Sequence, residues 1–112
     1  MSYVPSRADI VSLNFDPQAG HEQAGRRPAL ILSPEKYDEK AELALDCPIT
    51  KERKDYPCEV ELPDESCHTY GVLLSDHVKN LDWKQSNTKF IEKSPKAVVL
   101  QVQKNIQKLL TE

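Results

Sequence analysis

Apolar and polar positions alternate in short stretches along most of this chain, the two-residue period of strands that bury one face. Val11, Leu13 and Phe15 alternate with Ser12 and Asn14, and Asp16-Pro17 ends that run. Ala29 to Leu32 is continuously apolar, the pattern of a strand covered on both faces. Leu43 to Thr50 reads as another strand, and Pro48, which lacks a ladder donor, is expected at an edge or bulge. Cys58, Val60 and Leu62 alternate with Glu59 and Glu61; Gly71 to Leu74 is apolar again, and Phe90 to Glu92 is a short last candidate. The period becomes helical only twice. Ser33-Pro34 and Ser94-Pro95 each set a capping residue before a proline suited to the first helical position. The first predicts a short helix over residues 34–40. The second opens a longer one, in which Val98, Val102, Ile106 and Leu110 recur every fourth residue and Val99 and Leu109 widen the stripe. Short strands, tight connections and one terminal helix predict a mainly β (α+β) fold, a partly closed antiparallel barrel with a C-terminal helix.

With 112 residues and neither repeat nor low-complexity linker, a single domain over residues 1–112 is expected, continuous from about Ser6 to Leu110. At 38% hydrophobic it carries a small core, and a second copy of the chain would help bury its surface. No apolar run is long enough to cross a membrane as a helix, and Met1 to Arg7 has no apolar stretch of the kind that marks a secretory signal. Cys47, Cys58 and Cys67 cannot all pair within one chain and show no CxxC spacing, which points to a reduced, cytoplasmic protein. The net charge of −3 excludes a strongly basic nucleic-acid coater, though not an enzyme with a local basic cleft. Charge is segregated: the segment from Cys58 to Asp82 is acidic apart from Lys79, whereas the segment from Trp83 onward is rich in lysine. Arg26-Arg27 and Lys51-Glu52-Arg53-Lys54 add two further positive spots.

The chemistry concentrates between the first two strands. Gln18 to Arg27 holds two of the three glycines and reads as a long connection. Within it, Gly20-His21-Glu22-Gln23-Ala24-Gly25-Arg26-Arg27-Pro28 gathers an imidazole, a carboxylate and two guanidiniums. Taken alone, this is a solvated hairpin with an incidental ion pair or a phosphate site, in which arginine forks onto phosphate oxygens while His or Glu moves protons. No GK[ST] follows, so it is not a P-loop, and no HExxH or paired Cys/His spacing supports zinc. Cys67-His68 and His77 are too scattered for a metal signature, and no cofactor is expected.

These stretches resemble the MazF/PemK family of toxin–antitoxin endoribonucleases. The matching residues are Asp9-Ile10-Val11, Phe15-Asp16-Pro17, Gly20 to Gly25 and Arg27-Pro28-Ala29. They continue through Leu32-Ser33-Pro34, Pro48-Ile49-Thr50, Tyr56-Pro57, Gly71 to Lys79 and Leu81-Asp82-Trp83. The match is collinear over nearly the whole chain. The resemblance implies an SH3-like, CcdB/MazF toxin-like barrel, a homodimer, and metal-independent cleavage of single-stranded RNA at short motifs. It also implies a cognate acidic antitoxin whose disordered tail covers the active groove.

Carried over residue by residue, the family's catalytic positions fall on Arg27, Glu22 and Thr50, with His21 at the PemK-type histidine. Asp76 matches a PemK-type aspartate, but the arginine two residues before it is here Leu74. Ala8 and Ser12 stand where many relatives carry glycine and tryptophan. The chemistry fits such a set. RNA supplies its own nucleophile, the 2′-hydroxyl, and the enzyme must take its proton, steady a phosphorane and protonate the leaving 5′ oxygen. Arg27 suits the phosphorane, Thr50 offers a hydroxyl donor, Glu22 is the candidate base and His21 the candidate acid. Arg26, Lys51, Arg53, Lys54 and Asp76 are candidate RNA contacts, and Phe90, Tyr56 or Trp83 could stack on bases, Trp83 fitting a core better. The rival readings are a gyrase-binding toxin on the same barrel and a catalytically dead RNA-binding module.

Overall fold

The computed structural model describes residues 3–14 and 26–112. Seven strands and two helices follow in the order β1 (Asp9–Leu13), β2 (Arg27–Ile31), α1 (Glu35–Ala41), β3 (Ala44–Thr50), β4 (Glu59–Glu61), β5 (Val72–Leu74), β6 (Lys79–Leu81), β7 (Lys89–Lys93) and α2 (Lys96–Thr111). All pairings are antiparallel. The sheet order is β4-β5-β3-β2-β1-β7, with β6 alongside β3, and the sheet stays open between β4 and β7. At the β7 edge the register slips between Ile10 and Val11, leaving Ile91 as the extra residue of a bulge.

Both faces of the central strands are covered, which is why β2 is apolar without alternation. Ile10, Leu30, Leu32, Cys47, Ile49, Leu73 and the α2 residues Val98, Val99 and Val102 form the larger core. Val11, Leu13, Ala29, Ile31, Ala44 and Trp83 form a second core on the opposite face. The α2 stripe is longer than the sheet it covers: Val98, Val99 and Val102 are buried, whereas Leu109 and Leu110 are exposed.

Three expectations are corrected. Ser33 and Ser94 are not caps; the cap positions are Pro34 and Pro95, with no side-chain capping bond. Ser33 Oγ instead donates to Asp38 Oδ1 (2.5 Å) and accepts the Leu45 N–H (2.9 Å), tying α1 to β3. Pro48 lies in the central strand rather than at an edge. It is tolerated because β3 changes partner there: Ala44–Asp46 pair with β6, Ile49–Thr50 with β5, and the gap between needs no donor on that side. The third is a strand that the pattern did not reveal, β6, whose Lys-Asn-Leu has no apolar alternation and is held by its pairing to β3.

Candidate active site

Arg27 opens β2, and Thr50 closes β3, at the same end of the sheet. The β2–β3 ladder pairs Ile31 with Asp46, Leu30 with Cys47 and Ala29 with Pro48. Continued two residues further, that register sets Arg27 opposite Thr50. Instead of continuing, β3 leaves β2 and pairs Ile49 with Leu73 and Thr50 with Val72 of β5. Arg27 and Thr50 therefore stand on the two lips of the opening where the strands part. Strand alternation puts Arg27 on the face of Ala29 and Ile31, and Thr50 on the face of Ala44, so both belong to the side of the Trp83 core. Leu13, the register partner of Arg27, forms the buried floor of this row.

Thr50 is half-buried, and its Oγ1 accepts the Glu52 N–H (3.2 Å). That bond uses a lone pair and leaves the hydroxyl proton available for a phosphate oxygen. Gly71 holds the Thr50 backbone from the other side. It sits at φ 136°, and a Cβ there would lie well inside contact with the Thr50 carbonyl oxygen and 3.0 Å from the Thr50 carbonyl carbon. Neither requirement was visible beforehand; the only signal was that this is the one glycine outside residues 18–27.

The remaining candidates divide by what they touch. Arg26 and Arg27 are both exposed, but the Arg26 guanidinium is engaged: Nε donates to Ser12 Oγ (2.8 Å), and one terminal nitrogen donates to the carbonyls of Ser12 (2.6 Å) and Asn87 (2.5 Å). Lys51, Arg53 and Lys54 lie in the exposed loop that leaves Thr50. Arg53 is ion-paired with Glu61, and that neighbour pushes its guanidinium up from its ordinary value. The Glu59 carboxylate accepts the N–H groups of Lys54 (2.9 Å) and Asp55 (3.1 Å), which shapes the same loop. Asp76 is exposed after β5, 3.9 Å from His77 Nε2. Tyr56 and Phe90 are exposed aromatics, whereas Trp83 is buried and donates its Nε1–H to the Asp38 carbonyl (2.9 Å), so it is a core residue. His21 and Glu22 lie outside the described residues, as do Phe15 and Asp16-Pro17. Among the described residues no three His, Cys, Asp or Glu side chains gather into a metal-holding group, and no helix is long and apolar enough to cross a membrane.

The electrostatics behind the site are unusual for a strand. Asp46, four residues before Thr50 on the same face of β3, is fully buried, and neither carboxylate oxygen has a hydrogen-bond partner among the described residues. Burial pushes its carboxyl up to about 8, against the opposing pull of Lys79, its register partner on β6. It is therefore neutral near pH 7 and adds no negative charge on the Thr50 face of β3. Burial likewise raises Asp38 to about 6, despite the hydrogen bond from Ser33, and drives the Cys47 thiol up to about 12.

The architecture is an open antiparallel sheet with a terminal helix, in which an arginine and a threonine end up on the two sides of the place where the central strands part. Residues 6–110 match the model of the PemK-like, MazF-like toxins of type II toxin–antitoxin systems, and the chain belongs to that family. It is 44% identical over 82 residues to the endoribonuclease toxin MazF of Escherichia coli K12, covering 73% of this chain and 72% of the relative. To the endoribonuclease PemK of Escherichia coli it is 30% identical over 108 residues, covering 94% of this chain and 81% of PemK. A crystal structure of MazF from Deinococcus radiodurans superposes with a TM-score of 0.89 at 43% identity, covering 99% of this chain and all (100%) of that one. A MazE–MazF structure from the same organism gives a TM-score of 0.86 at 37% identity and 98% coverage of both chains.

Proposed function

We propose that this chain is an endoribonuclease toxin that cuts single-stranded RNA with the RNA's own 2′-hydroxyl as nucleophile and without a metal ion. The observation that carries the reading is the placement of Arg27 and Thr50 at the two lips of the β2–β3 opening. A permanent, forked cation and a hydroxyl donor are the groups that bind one phosphate together in this reading. The similarity to relatives named endoribonucleases supports the same reading.

In this mechanism Glu22 takes the proton of the 2′-hydroxyl as its oxygen forms a bond to phosphorus. Arg27 and Thr50 hold the non-bridging oxygens, whose negative charge grows as the phosphorane forms. The bond from phosphorus to the 5′ oxygen then breaks, and His21 supplies that oxygen with a proton. The products are a 2′,3′-cyclic phosphate and a 5′-hydroxyl. Lys51 and Lys54 steer the strand towards the opening from the adjoining loop. The working unit is a homodimer in the cytoplasm, and an acidic, disordered antitoxin tail silences it by lying over the Arg27 lip. The MazE–MazF assembly of the Deinococcus radiodurans relative supports a partner of that kind.

The test is digestion of a long unstructured RNA in EDTA, with the ends mapped. Cleavage is expected to persist and leave cyclic phosphate and 5′-hydroxyl ends. A 2′-deoxy substitution immediately 5′ of the cut should abolish it. Products bearing a 5′-phosphate, or activity lost to the chelator, contradict the mechanism. A protein that poisons gyrase without cutting RNA is the outcome expected of the rival class.

A further inference from the structure

Two arginines in succession at a phosphate site suggest two phosphate ligands, but the geometry assigns them different work. We infer that Arg26 is a positioning residue: it clamps the mouth of the β1–β2 hairpin so that Arg27 alone is presented to RNA. This rests on the nuclease reading above and concerns how that site is held.

Three hydrogen bonds carry the inference. Arg26 donates to the side chain and the main chain of Ser12, on β1, and to the Asn87 carbonyl. Asn87 lies in the turn between β6 and β7, in the left-handed region at φ 54°. The same turn is fastened to the end of β1 by the Asn14 N–H, which donates to the Ser86 carbonyl (2.9 Å). Arg26 therefore links three segments that are distant in sequence, at the point where β1 has ended at Leu13 and β2 begins at Arg27. With Nε and a terminal nitrogen both engaged on carbonyl and hydroxyl oxygens, the forked edge that would grip a phosphate is occupied.

Ser12 gives the inference a second footing. Its hydroxyl is the acceptor that fixes Arg26 Nε, and a residue with no side-chain acceptor at that position could not serve. Leu13, the next residue along β1, is the register partner of Arg27. A clamp on Ser12 thus fixes the strand against which Arg27 is paired. Alternation also separates the two guanidiniums, because neighbours on an extended chain face opposite sides. The Arg26 guanidinium is consequently held by uncharged oxygens on the side away from Arg27 and does not compete with it for the same phosphate.

The experiment uses the full chain and two readouts. Single-turnover cleavage of one mapped oligonucleotide measures positioning. Affinity for the same oligonucleotide, made uncleavable by a 2′-deoxy residue at the cut, is titrated against salt to count phosphate contacts. Arg26→Ala should lower the single-turnover rate by about tenfold to a hundredfold, the usual scale for a displaced catalytic group, while the salt slope stays as in the parent. Ser12→Ala should lose rate in the same direction, and the double variant should be little worse than Arg26→Ala alone, as for two halves of one contact. Removing a true phosphate ligand should instead reduce the slope by about 0.7. That reduction, with Ser12→Ala behaving as the parent, overturns the clamp, and so does an unchanged rate in Arg26→Ala. A parent that cuts no RNA refutes the nuclease reading instead. The clamp is then judged from the Arg26 Nε–H resonance, which should exchange slowly in the parent and fast in Ser12→Ala; fast exchange in the parent refutes it.

Discussion

Gly71→Ala should damage both the fold and the Thr50 lip. The residue sits at φ 136°, a conformation open to glycine and costly for any residue with a Cβ. The added methyl would press on the Thr50 carbonyl oxygen and lie 3.2 Å from Ile49 Cγ2, and the first of these is backbone that cannot rotate away. Backbone strain of this kind costs about 1–3 kcal/mol. The clash adds about as much again, as overpacking does in a closed core. Against this, alanine narrows the unfolded ensemble and returns about 0.4–1 kcal/mol. The net loss centres on about 3 kcal/mol, or about 12–24 °C in Tm for a domain near 100 residues. Urea and thermal unfolding give the stability, and single-turnover cleavage below the transition gives the activity. Cleavage should fall along with stability, because Thr50 pairs with Val72, the neighbour of Gly71. A variant within about 0.5 kcal/mol of the parent, the usual range for a featureless surface change, refutes the close approach on which the placement of Thr50 depends.

Other predictions follow from the same structure. Asp46, raised from 3.8 to about 8 by burial, holds a proton in the folded state that the unfolded chain has released, so its contribution to stability is lost as pH rises from about 4 to about 8. The urea midpoint of Asp46→Asn relative to the parent should therefore climb across that window, and a pH-independent difference contradicts the buried neutral carboxyl. Ala8, at φ 81°, should tolerate glycine within about 1 kcal/mol but lose more than about 2 kcal/mol as Ala8→Val, read from the same unfolding curves; equal effects refute the backbone assignment. Sedimentation at micromolar concentration should give about twice the 12.7 kDa chain mass, and a monomer across that range contradicts the homodimer.

Much of the fold was legible because both faces of the sheet leave a signature. The apolar run from Ala29 to Leu32 announced burial on two sides, and it serves two cores. The alternation of Cys58, Val60 and Leu62 with Glu59 and Glu61 announced a half-buried strand, and β4 runs there with Val60 buried and Glu61 exposed. What stayed hidden was held by backbone or by polar side chains. β6 is polar and short, and its strand character comes from the β3 groups it pairs with. β1 begins at Asp9, two residues before the apolar alternation, because its carboxylate is buried under bonds from Tyr3 (2.5 Å), the Ser6 N–H (3.0 Å) and Lys93 (2.5 Å). The serines before the two helices resembled caps because sequence cannot tell a hydroxyl that caps its helix from one that accepts from a neighbouring strand, as Ser33 does from Leu45, or donates to the next carbonyl, as Ser94 does to Pro95. In the candidate site, residue types were readable and engagement was not. Arg26 and Arg27 are adjacent, identical and exposed, and only the contacts to Ser12 and Asn87 set them apart. Ala8 occupies a position where its resemblance-based partner is glycine, and its positive φ gives the physical reason why glycine suits that position.

The central claim is that Arg27 meets the charge of the transition state across the β2–β3 opening from Thr50. Single-turnover cleavage of one mapped oligonucleotide by folded Arg27→Ala, Arg27→Lys and Thr50→Ala proteins tests it most directly. Arg27→Ala should lose about 10²–10³ in rate, the scale for removing one preorganised donor, with its Tm unchanged. Arg27→Lys should recover only part of that, because an ammonium cannot make the bidentate fork. Thr50→Ala should lose less than Arg27→Ala, since a neutral hydroxyl gives a weaker bond than a guanidinium. Near-parental cleavage by a folded Arg27→Ala protein would contradict the account and move the phosphate to another cation.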